Sequence, residues 1–239
     1  MGNAILHQLP APFDLELVQS RYPVSYKESM NTVLCQEVIR YSRLHSVIVS
    51  SLNSLKKALA GLVVMNGELE QLATAMFDGK LPELWAGKSY PSLKPLGAYI
   101  KDLARRLQFF RCMHSYVCQF LSYDFVATIL YTHLFVRSAW IDNGAPRKYW
   151  ISGFFFTQSF LTGALQNFAR KYTVPIDMVA FDFEFFNESD IKDSTPKPVD
   201  GVWVEGLYLE GARWDLEQKL LGESAPKVLY SAAPIVWVL

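Results

Sequence analysis

Cysteine and histidine are scarce in this sequence. Only three cysteines, Cys35, Cys112 and Cys118, occur among 239 residues, and such a small, odd number argues against a disulfide framework. It is typical of a protein from a reducing compartment. His114 lies between Cys112 and Cys118, but no second close pair completes the four ligands of a zinc site. The sequence therefore predicts neither a metal site nor a stabilising disulfide.

An excess of charge of either sign is also missing. The 23 basic residues balance the 23 acidic ones, so no global field favours nucleic acid or an anionic membrane as a partner. The first residues, MGNAILHQLPAPFD, have neither the basic region nor the apolar run of a signal peptide. Leu6 replaces the hydroxyl residue that a myristoylation motif beginning at Gly2 requires.

Apolar residues, by contrast, are plentiful, and in the first half they follow a helical period. They make up 51% of the sequence, enough for one domain of ordinary size or two small ones. Residues 1–24 contain prolines and are predicted to be irregular. Ser25 and Glu28 form the pattern of a capping box, and Asn66-Gly67 is the predicted helix end. Between them runs one long apolar stripe with steps of three and four residues: Met30, Leu34, Val38, Tyr41, Leu44, Ile48, Leu52, Leu55, Leu59 and Leu62.

Shorter helices are predicted further along the sequence. The first runs from Glu68 to Phe77 and is stopped by Gly79, after which a loop extends to Pro95. Pro95 is suited to open the next helix, whose apolar stripe extends from Leu96 to Phe110. Another helix is predicted from about Thr157 to Lys171, where two basic residues favour the helix end.

After Pro175 the apolar residues no longer recur with the helical period of 3.6 residues but at every second position. Val179–Phe186 alternates in the manner of a strand, and Val202–Leu209 and Lys227–Val238 are further predicted strands. The protein thus divides into an irregular segment at 1–24, a helical region at 25–172 and a β-rich region at 173–239. Segregated helices and strands favour the α+β class over a βαβ alternation.

One short motif invites a nucleotide-binding interpretation. Ala86-Gly87-Lys88-Ser89 resembles the end of a phosphate-binding loop, which also needs a glycine five residues before its GK pair. That position is Pro82, which has no N–H and a fixed φ. No hydrophobic strand precedes the motif. A surface loop without a nucleotide is therefore the predicted interpretation.

Acidic residues in the β-rich region offer the remaining candidate chemistry. Asp182 and Glu184 share one face of a predicted strand, and paired carboxylates can perform acid–base catalysis. Such alternation is more typical of the solvated face of a half-buried sheet. A second set of acidic residues, Glu205, Glu210 and Asp215 near Arg213, fits surface ion pairs. No catalytic constellation of nucleophile and base is evident, so no catalytic, cofactor-binding or metal residue is assigned, and an enzyme built on Asp182 and Glu184 remains an alternative.

Residues 111–139 differ in character from the rest of the sequence. The run from Tyr116 to Val136 is almost continuously apolar and approaches the length of a membrane span. Asp124 near its middle would cost about 2.5–3.5 kcal/mol on insertion, and Gln119 and His133 would add to that cost. A buried helix or an insertion is therefore favoured. A membrane-anchored adaptor using 116–136 is the alternative function.

Several sequence runs, taken in order, resemble one known family. The runs are LPAPFD (9–14), YPVSY (22–26), ESMNTVLCQEVIRYSRL (28–44), LKKALAGLVVMNGELE (55–70), SYPSLKPLGAYIKDL (89–103), ISGFFFTQSFLTGALQNFARKY (151–172), DGVWVEGLYLEGARWD (200–215) and PKVLYSAAPIVWVL (226–239). In this order and spacing they resemble the C-terminal domain of axonemal, rather than cytoplasmic, dynein heavy chains. Among the axonemal heavy chains, the resemblance favours the single-headed inner-arm type.

The resemblance implies a non-catalytic module of a motor protein. In this family, ATP and magnesium are bound by upstream AAA+ ring modules and microtubules by an upstream stalk. The C-terminal domain packs on the ring and modulates movement in cilia or flagella. The implied partners are the ring modules and other dynein subunits, in the cytoplasm, cytoskeleton and axoneme. No direct microtubule site, no nucleic acid and no membrane contact is implied, and no cofactor is expected in this protein.

Two departures from the family pattern generate further expectations. About 29 residues, 111–139, separate the helix ending at Phe110 from the segment beginning at Trp140, where the family runs on directly. Family members also continue with more strands beyond the position of Leu239. We therefore expect 111–139 to be an addition to the fold, and the β-rich region to be a truncated, incomplete antiparallel barrel or sheet.

Overall fold

The structure is a computed structural model. It describes residues 2–110, 141, 144–186, 191, 196–215 and 217–238. Within these ranges, helices dominate the first part of the sequence and strands the last part. The helices are α1 (Gly2–Gln8), α2 (Leu15–Arg21), α3 (Ser29–Leu59), α4 (Gly67–Phe77), α5 (Glu83–Ala86), α6 (Leu96–Phe110) and α7 (Thr157–Tyr172). The strands are β1 (Lys148–Trp150), β2 (Phe183–Phe186), β3 (Val202–Glu205), β4 (Tyr208–Glu210), β5 (Ala212–Asp215), β6 (Leu220–Glu223), β7 (Tyr230–Ala232) and β8 (Ile235–Val238).

The long helix α3 confirms the apolar stripe from Met30 to Leu55 as a buried face. Leu59 and Leu62, which were predicted to continue the stripe, are exposed, and both predicted helix ends are corrected. The helix begins at Ser29, because the carboxylate of Glu28 caps it by accepting the N–H of Met30 at 3.1 Å. It ends at Leu59, where Gly61 adopts a left-handed φ of 72°. The predicted end at Asn66 is instead the start of α4: its side chain accepts the N–H of Leu69 at 2.9 Å.

The N-terminal segment 1–24 is not irregular, as the sequence suggested, but contains α1 and α2. Asp14 caps α2 by accepting the N–H of Leu17 at 3.0 Å. Ile5 in α1 and Val18 in α2 are buried in the main core. Both helices contact α3. Helices of seven residues are marginal alone, so packing against α3, which local sequence signals do not encode, accounts for them.

The main core lies along α3 and reaches most of the other elements. The predicted helix after Pro95 is confirmed as α6, and its stripe packs with α3 in one cluster. Aromatic side chains form part of this core: Tyr41 of α3 packs against Tyr90, Phe110 and Phe155 at ring-centroid distances of 5.4–6.4 Å. The hydroxyl of Tyr41 donates to the carbonyl of Gly153 at 2.7 Å. This bond fixes α3 to the turn before α7.

The strands form a four-stranded sheet in the order β1-β3-β8-β2 and two two-stranded ladders, β4-β7 and β5-β6. β1 runs parallel to β3, whereas β8 pairs antiparallel with both β3 and β2. None of these sheets closes into a barrel within the residues that the structure describes. The α+β class is confirmed, and the antiparallel prediction holds except for the β1-β3 pair. β1 was not predicted and places a strand inside the region 25–172 that was expected to be helical.

The predicted strand over 179–186 is only half as long as its alternation suggested. A single turn of 3₁₀ helix covers Ile176–Met178 after Pro175, and the N–H of Val179 donates to the carbonyl of Ile176. Only Phe183–Phe186 pairs with a neighbour, β8. Alternation of apolar and polar residues is a property of one segment, whereas a strand also needs a partner for its N–H and C=O groups. The predicted strand was too long because residues 179–182 alternate but are not paired in a strand.

None of the helices in the described ranges combines the length and the hydropathy that a membrane span requires. The run 116–136, the basis of the membrane-anchored alternative, lies outside the described residues, as do 111–139 with Cys112, His114 and Cys118. The idea that 111–139 are an addition stays a prediction, and so do the boundaries at 24/25 and 172/173 between the three predicted parts of the sequence.

Candidate functional site

The Gly87-Lys88-Ser89 motif is built into a tight structural turn. Pro82 precedes the four-residue helix α5, and Gly87 follows it. The N–H groups of Gly87, Lys88 and Ser89 donate to the carbonyls of Glu83, Trp85 and Ala86 at 2.9, 3.1 and 3.2 Å. A phosphate-binding loop needs such N–H groups aimed at the phosphate. Here they are already used within the turn.

We expect the protein not to bind ATP at this loop. Equilibrium dialysis with labelled ATP and Mg²⁺ should give a Kd weaker than about 1 mM, equal for the wild type and for Lys88→Ala, because the backbone donors of the loop are occupied. Stoichiometric binding at micromolar ATP that is lost in Lys88→Ala would contradict this prediction.

The paired carboxylates of the β-rich region do not share a strand. Asp182 precedes β2 and accepts the N–H of Phe183, whereas Glu184 lies within β2, and both are exposed. The neighbouring Phe183 is 54% exposed, and Phe185, which stacks on the ring of Trp214, is 37% exposed. β2 therefore has no buried face of the kind that the alternation suggested.

Two of the other candidate acids, Glu205 and Asp215, have polar partners in the structure. Glu205 forms an ion pair with Lys148 at 3.6 Å across the β1-β3 pair. Asp215 accepts the N–H groups of Glu217 and Gln218 at 2.9 and 3.0 Å, which lowers the pKa of its carboxyl. In the ranges that the structure describes, no three His, Cys, Asp or Glu side chains are grouped in a way that could hold a metal ion.

A cleft of about 720 Å³ with a largely basic lining lies on the surface of the described residues. We call it the basic cleft. It lies between the start of α3, the second half of α7, the segment 144–149 and the segment 196–202. Its charged side chains are Lys27, Glu28, Arg147, Arg170, Lys171, Lys197 and Asp200. Five of these seven are basic, so positive charge is concentrated here although the whole protein is neutral.

Two of the basic residues, both from α7, help to form the walls of the basic cleft. Arg170 donates to the carbonyl of Tyr26 at 2.6 Å and to the hydroxyl of Ser29 at 2.7 Å, with its guanidinium 4.2 Å from the centre of the Tyr26 ring. Lys171 pairs with Asp200 at 2.6 Å. These contacts join α7 to the start of α3 and to the segment before β3.

Lys197 and Arg147 bring two like charges together in the basic cleft. The ammonium of Lys197 donates to the carbonyl of Ala145. Burial lowers the pKa of Lys197, and the positive charge of Arg147 lowers it further, partly opposed by Glu28. Sequence reasoning missed the cleft because one wall, at 22–31, lies more than 100 residues before the other walls. The balanced total charge does not indicate the cleft either.

A second missed feature is a buried carboxylate at the turn before α7. Glu37 of α3 is fully buried. It accepts the N–H groups of Phe155 and Phe156, the latter at 3.1 Å, and pairs with Arg40 at 3.2 Å. Burial raises the pKa of its carboxyl, and the two N–H groups and Arg40 oppose that rise. The spacing of Glu37 and Arg40 is that of an ordinary surface pair, so no sequence pattern indicated burial.

Large apolar side chains remain exposed where α3 ends. The N–H of Gly61 donates to the carbonyl of Ala58 and that of Leu62 to the carbonyl of Lys57, the bonds of a Schellman cap. In such caps the residue after the glycine commonly packs back on the helix. Here Leu62 is 76% exposed and Val64 is 86% exposed. The turn therefore holds apolar side chains out in solvent.

Comparison with known proteins gives one consistent family. A family model for the C-terminal domain of the dynein heavy chain matches residues 1–239. Similar curated proteins include dynein axonemal heavy chain 3 of Homo sapiens, 48% identical over 238 residues that cover 100% of this protein and 5% of the relative. Dynein axonemal heavy chain 12 of Mus musculus is 49% identical over 236 residues, 98% of this protein and 7% of the relative. Dynein axonemal heavy chain 1 of Homo sapiens is 46% identical over 235 residues, 98% and 5%.

Proposed function

The protein belongs to the family formed by the C-terminal domains of dynein heavy chains, and we propose that it is a non-catalytic module of an axonemal motor. In this role it packs on the AAA+ ring modules of a dynein heavy chain and modulates their ATP-driven, microtubule-based movement. The sequence spans only about 5–7% of the length of the relatives to which it is similar. The ATPase activity and the microtubule site are assigned to the rest of such a heavy chain.

The observation that carries the proposal is similarity along the whole sequence to heavy chains whose names place them in the axoneme. The same similarity supports a location on the cytoskeleton of cilia or flagella, with other dynein subunits as further partners. The inner-arm type is the narrower proposal, based on the resemblance alone. A module without a catalytic role acts through contacts, so its exposed apolar surface is the place to test.

The turn after α3 is our candidate for the contact with the ring. Leu62 and Val64 are close in sequence, apolar and highly exposed, and the cap at Gly61 fixes the backbone that presents them. Apolar side chains near the centre of an interface contribute much of its affinity, since they are fully desolvated on binding. Their exposure in the isolated protein also means that replacing them removes no core contact.

The double variant Leu62→Asp, Val64→Asp is expected to weaken binding to the ring modules of an axonemal heavy chain. The dissociation constant should rise by about tenfold or more, the effect expected of an interface hot spot. The free energy of unfolding should change by less than about 0.5 kcal/mol per site, since both side chains are exposed. Co-expressed ring modules carrying an affinity tag, with binding followed by interferometry, provide the measurement.

Leu93→Asp is the matched control, since Leu93 is also apolar and fully exposed but lies in the loop between α5 and α6. Wild-type affinity in the double variant, or an equal loss in Leu93→Asp, would rule out this contact surface. Failure of the wild-type protein to bind the ring modules at all would contradict the proposed function itself.

A further inference from the structure

We propose that the basic cleft is a binding site for a small organic phosphate, an anionic phosphate group carried on an apolar or aromatic body. Its volume of about 720 Å³ falls within the range of small-molecule sites. An inorganic anion alone would fill only a fraction of it. Nothing in the proposed role on the motor ring requires such a site.

The charge of the lining selects an anion and favours a doubly charged one. Five basic side chains face only two acidic ones, Glu28 and Asp200, so the lining keeps an excess of positive charge. Both acids are already engaged, since Glu28 accepts from Asn167 at 2.7 Å and Asp200 pairs with Lys171 at 2.6 Å. A dianion compensates more of the remaining positive charge than a monoanion does.

Lys197 is the residue best placed to bind the phosphate. Its ammonium has three N–H donors, of which one is used on the carbonyl of Ala145. The like charge of Arg147 disfavours its protonated form and contributes to the lowered pKa of Lys197. An anion placed between the two would offset that repulsion and gain charge-assisted hydrogen bonds.

The apolar part of the lining accommodates the body of the ligand. Tyr22, Tyr26, Tyr149 and Phe168 supply aromatic side chains, and Val199 and Val202 supply aliphatic ones. Cationic groups beside aromatic rings recognise a ligand that is charged at one end and apolar at the other. Phenyl phosphate has both features and is therefore the probe.

Isothermal titration of the full 239-residue protein, at constant ionic strength, distinguishes the components of the ligand. We expect phenyl phosphate to bind with a Kd below about 1 mM, more tightly than inorganic phosphate, benzoate or phenol. Equal binding of phenol would show an apolar site and overturn the proposal. Equal binding of benzoate would overturn the preference for phosphate. Absence of phenyl phosphate binding at about ten times that Kd would overturn the site.

Variants locate the site within the cleft. Lys197→Gln should weaken phenyl phosphate binding roughly fivefold or more, since it removes a charged hydrogen-bond donor. Lys27→Gln, at the exposed rim, should weaken it less. Lys57→Gln in α3, an exposed lysine outside the lining, should leave it unchanged. Thermal melting without ligand checks that each variant is folded. If Lys197→Gln misfolds, loss of binding in Lys27→Gln relative to Lys57→Gln decides. Equal affinities in Lys27→Gln, Lys197→Gln and Lys57→Gln contradict the assignment.

Discussion

Replacing Glu37 with alanine is expected to lower the free energy of unfolding by about 3–5 kcal/mol, since it removes two backbone hydrogen bonds to a carboxylate, and a hydrogen bond to a charged group contributes about 1.5–3 kcal/mol. Glu37 is fully buried in α3, yet it serves a different element: it accepts the backbone N–H groups of Phe155 and Phe156 just before α7. Alanine would leave both of these part-buried N–H groups without this acceptor, and a donor that loses its partner away from bulk water is costly. It would also deprive Arg40 of its carboxylate.

The pH dependence of the free energy of unfolding distinguishes the effect of the charge of Glu37 from the effect of the volume that its side chain fills. Because burial raises the pKa of the folded carboxyl above its ordinary value of 4.5, the folded state binds the proton more tightly than the unfolded state. This contribution is fully present below pH 4.5 and is lost as the pH rises through the folded pKa. The wild type should therefore lose stability over that window. Glu37→Gln, which cannot titrate, should lack this component.

Urea denaturation of the wild type and both variants between about pH 4 and 8 measures these quantities. Glu70→Ala is the control, since Glu70 is an exposed carboxylate in α4 and should cost less than about 0.5 kcal/mol. A loss below about 1 kcal/mol in Glu37→Ala would show that water or a rearranged turn replaces the carboxylate. A pH profile in Glu37→Gln identical to that of the wild type would show that Glu37 does not titrate in this range.

Sequence periodicity predicted the helices better than the strands, for a physical reason. The stripe of α3 lies within one segment, and every backbone bond of a helix is local, so spacing alone identifies it. The limits of β2 and the existence of β1 depend instead on β8 and β3, which lie far along the sequence. The short helices α1 and α2 were missed for the same reason, because their stability comes from packing on α3.

For the candidate sites too, features set by neighbouring residues could be predicted from the sequence, whereas features set by residues far apart in sequence could not. The prediction that Gly87-Lys88-Ser89 binds no nucleotide needs only Pro82 and its neighbours in sequence, and it stays a prediction. The basic cleft assembles side chains from widely separated positions, such as Lys27 and Lys197, which no local pattern joins. Glu37 has the spacing of a surface acid, and only its distant partners reveal its burial.

Trp85→Ala is expected to cost about 3–5 kcal/mol of unfolding free energy, the range for deleting a large buried aromatic side chain. Trp85 is fully buried although it lies in α5, a helix of only four residues. Its indole N–H donates to the hydroxyl of Ser51 in α3 at 2.9 Å, and Ser51 donates in turn to the carbonyl of Ile48 at 3.0 Å. The side chain thus attaches the whole turn to the long helix.

Two further variants, Trp85→Phe and Lys88→Ala, separate the contribution of the buried ring to stability from that of the hydrogen bond to Ser51 and from that of the rest of the turn. Trp85→Phe keeps much of the buried ring but loses the bond to Ser51, so it should lie between the wild type and Trp85→Ala. Lys88→Ala, nearby in sequence and exposed, should change stability by less than about 0.5 kcal/mol. The measurement is urea denaturation without nucleotide. A small loss of unfolding free energy in Trp85→Ala together with a large loss in Lys88→Ala would contradict the structural role of Trp85. The expected order identifies the segment around Gly87-Lys88 as a structural clamp on α3: its tryptophan stabilises the fold, and its lysine is dispensable.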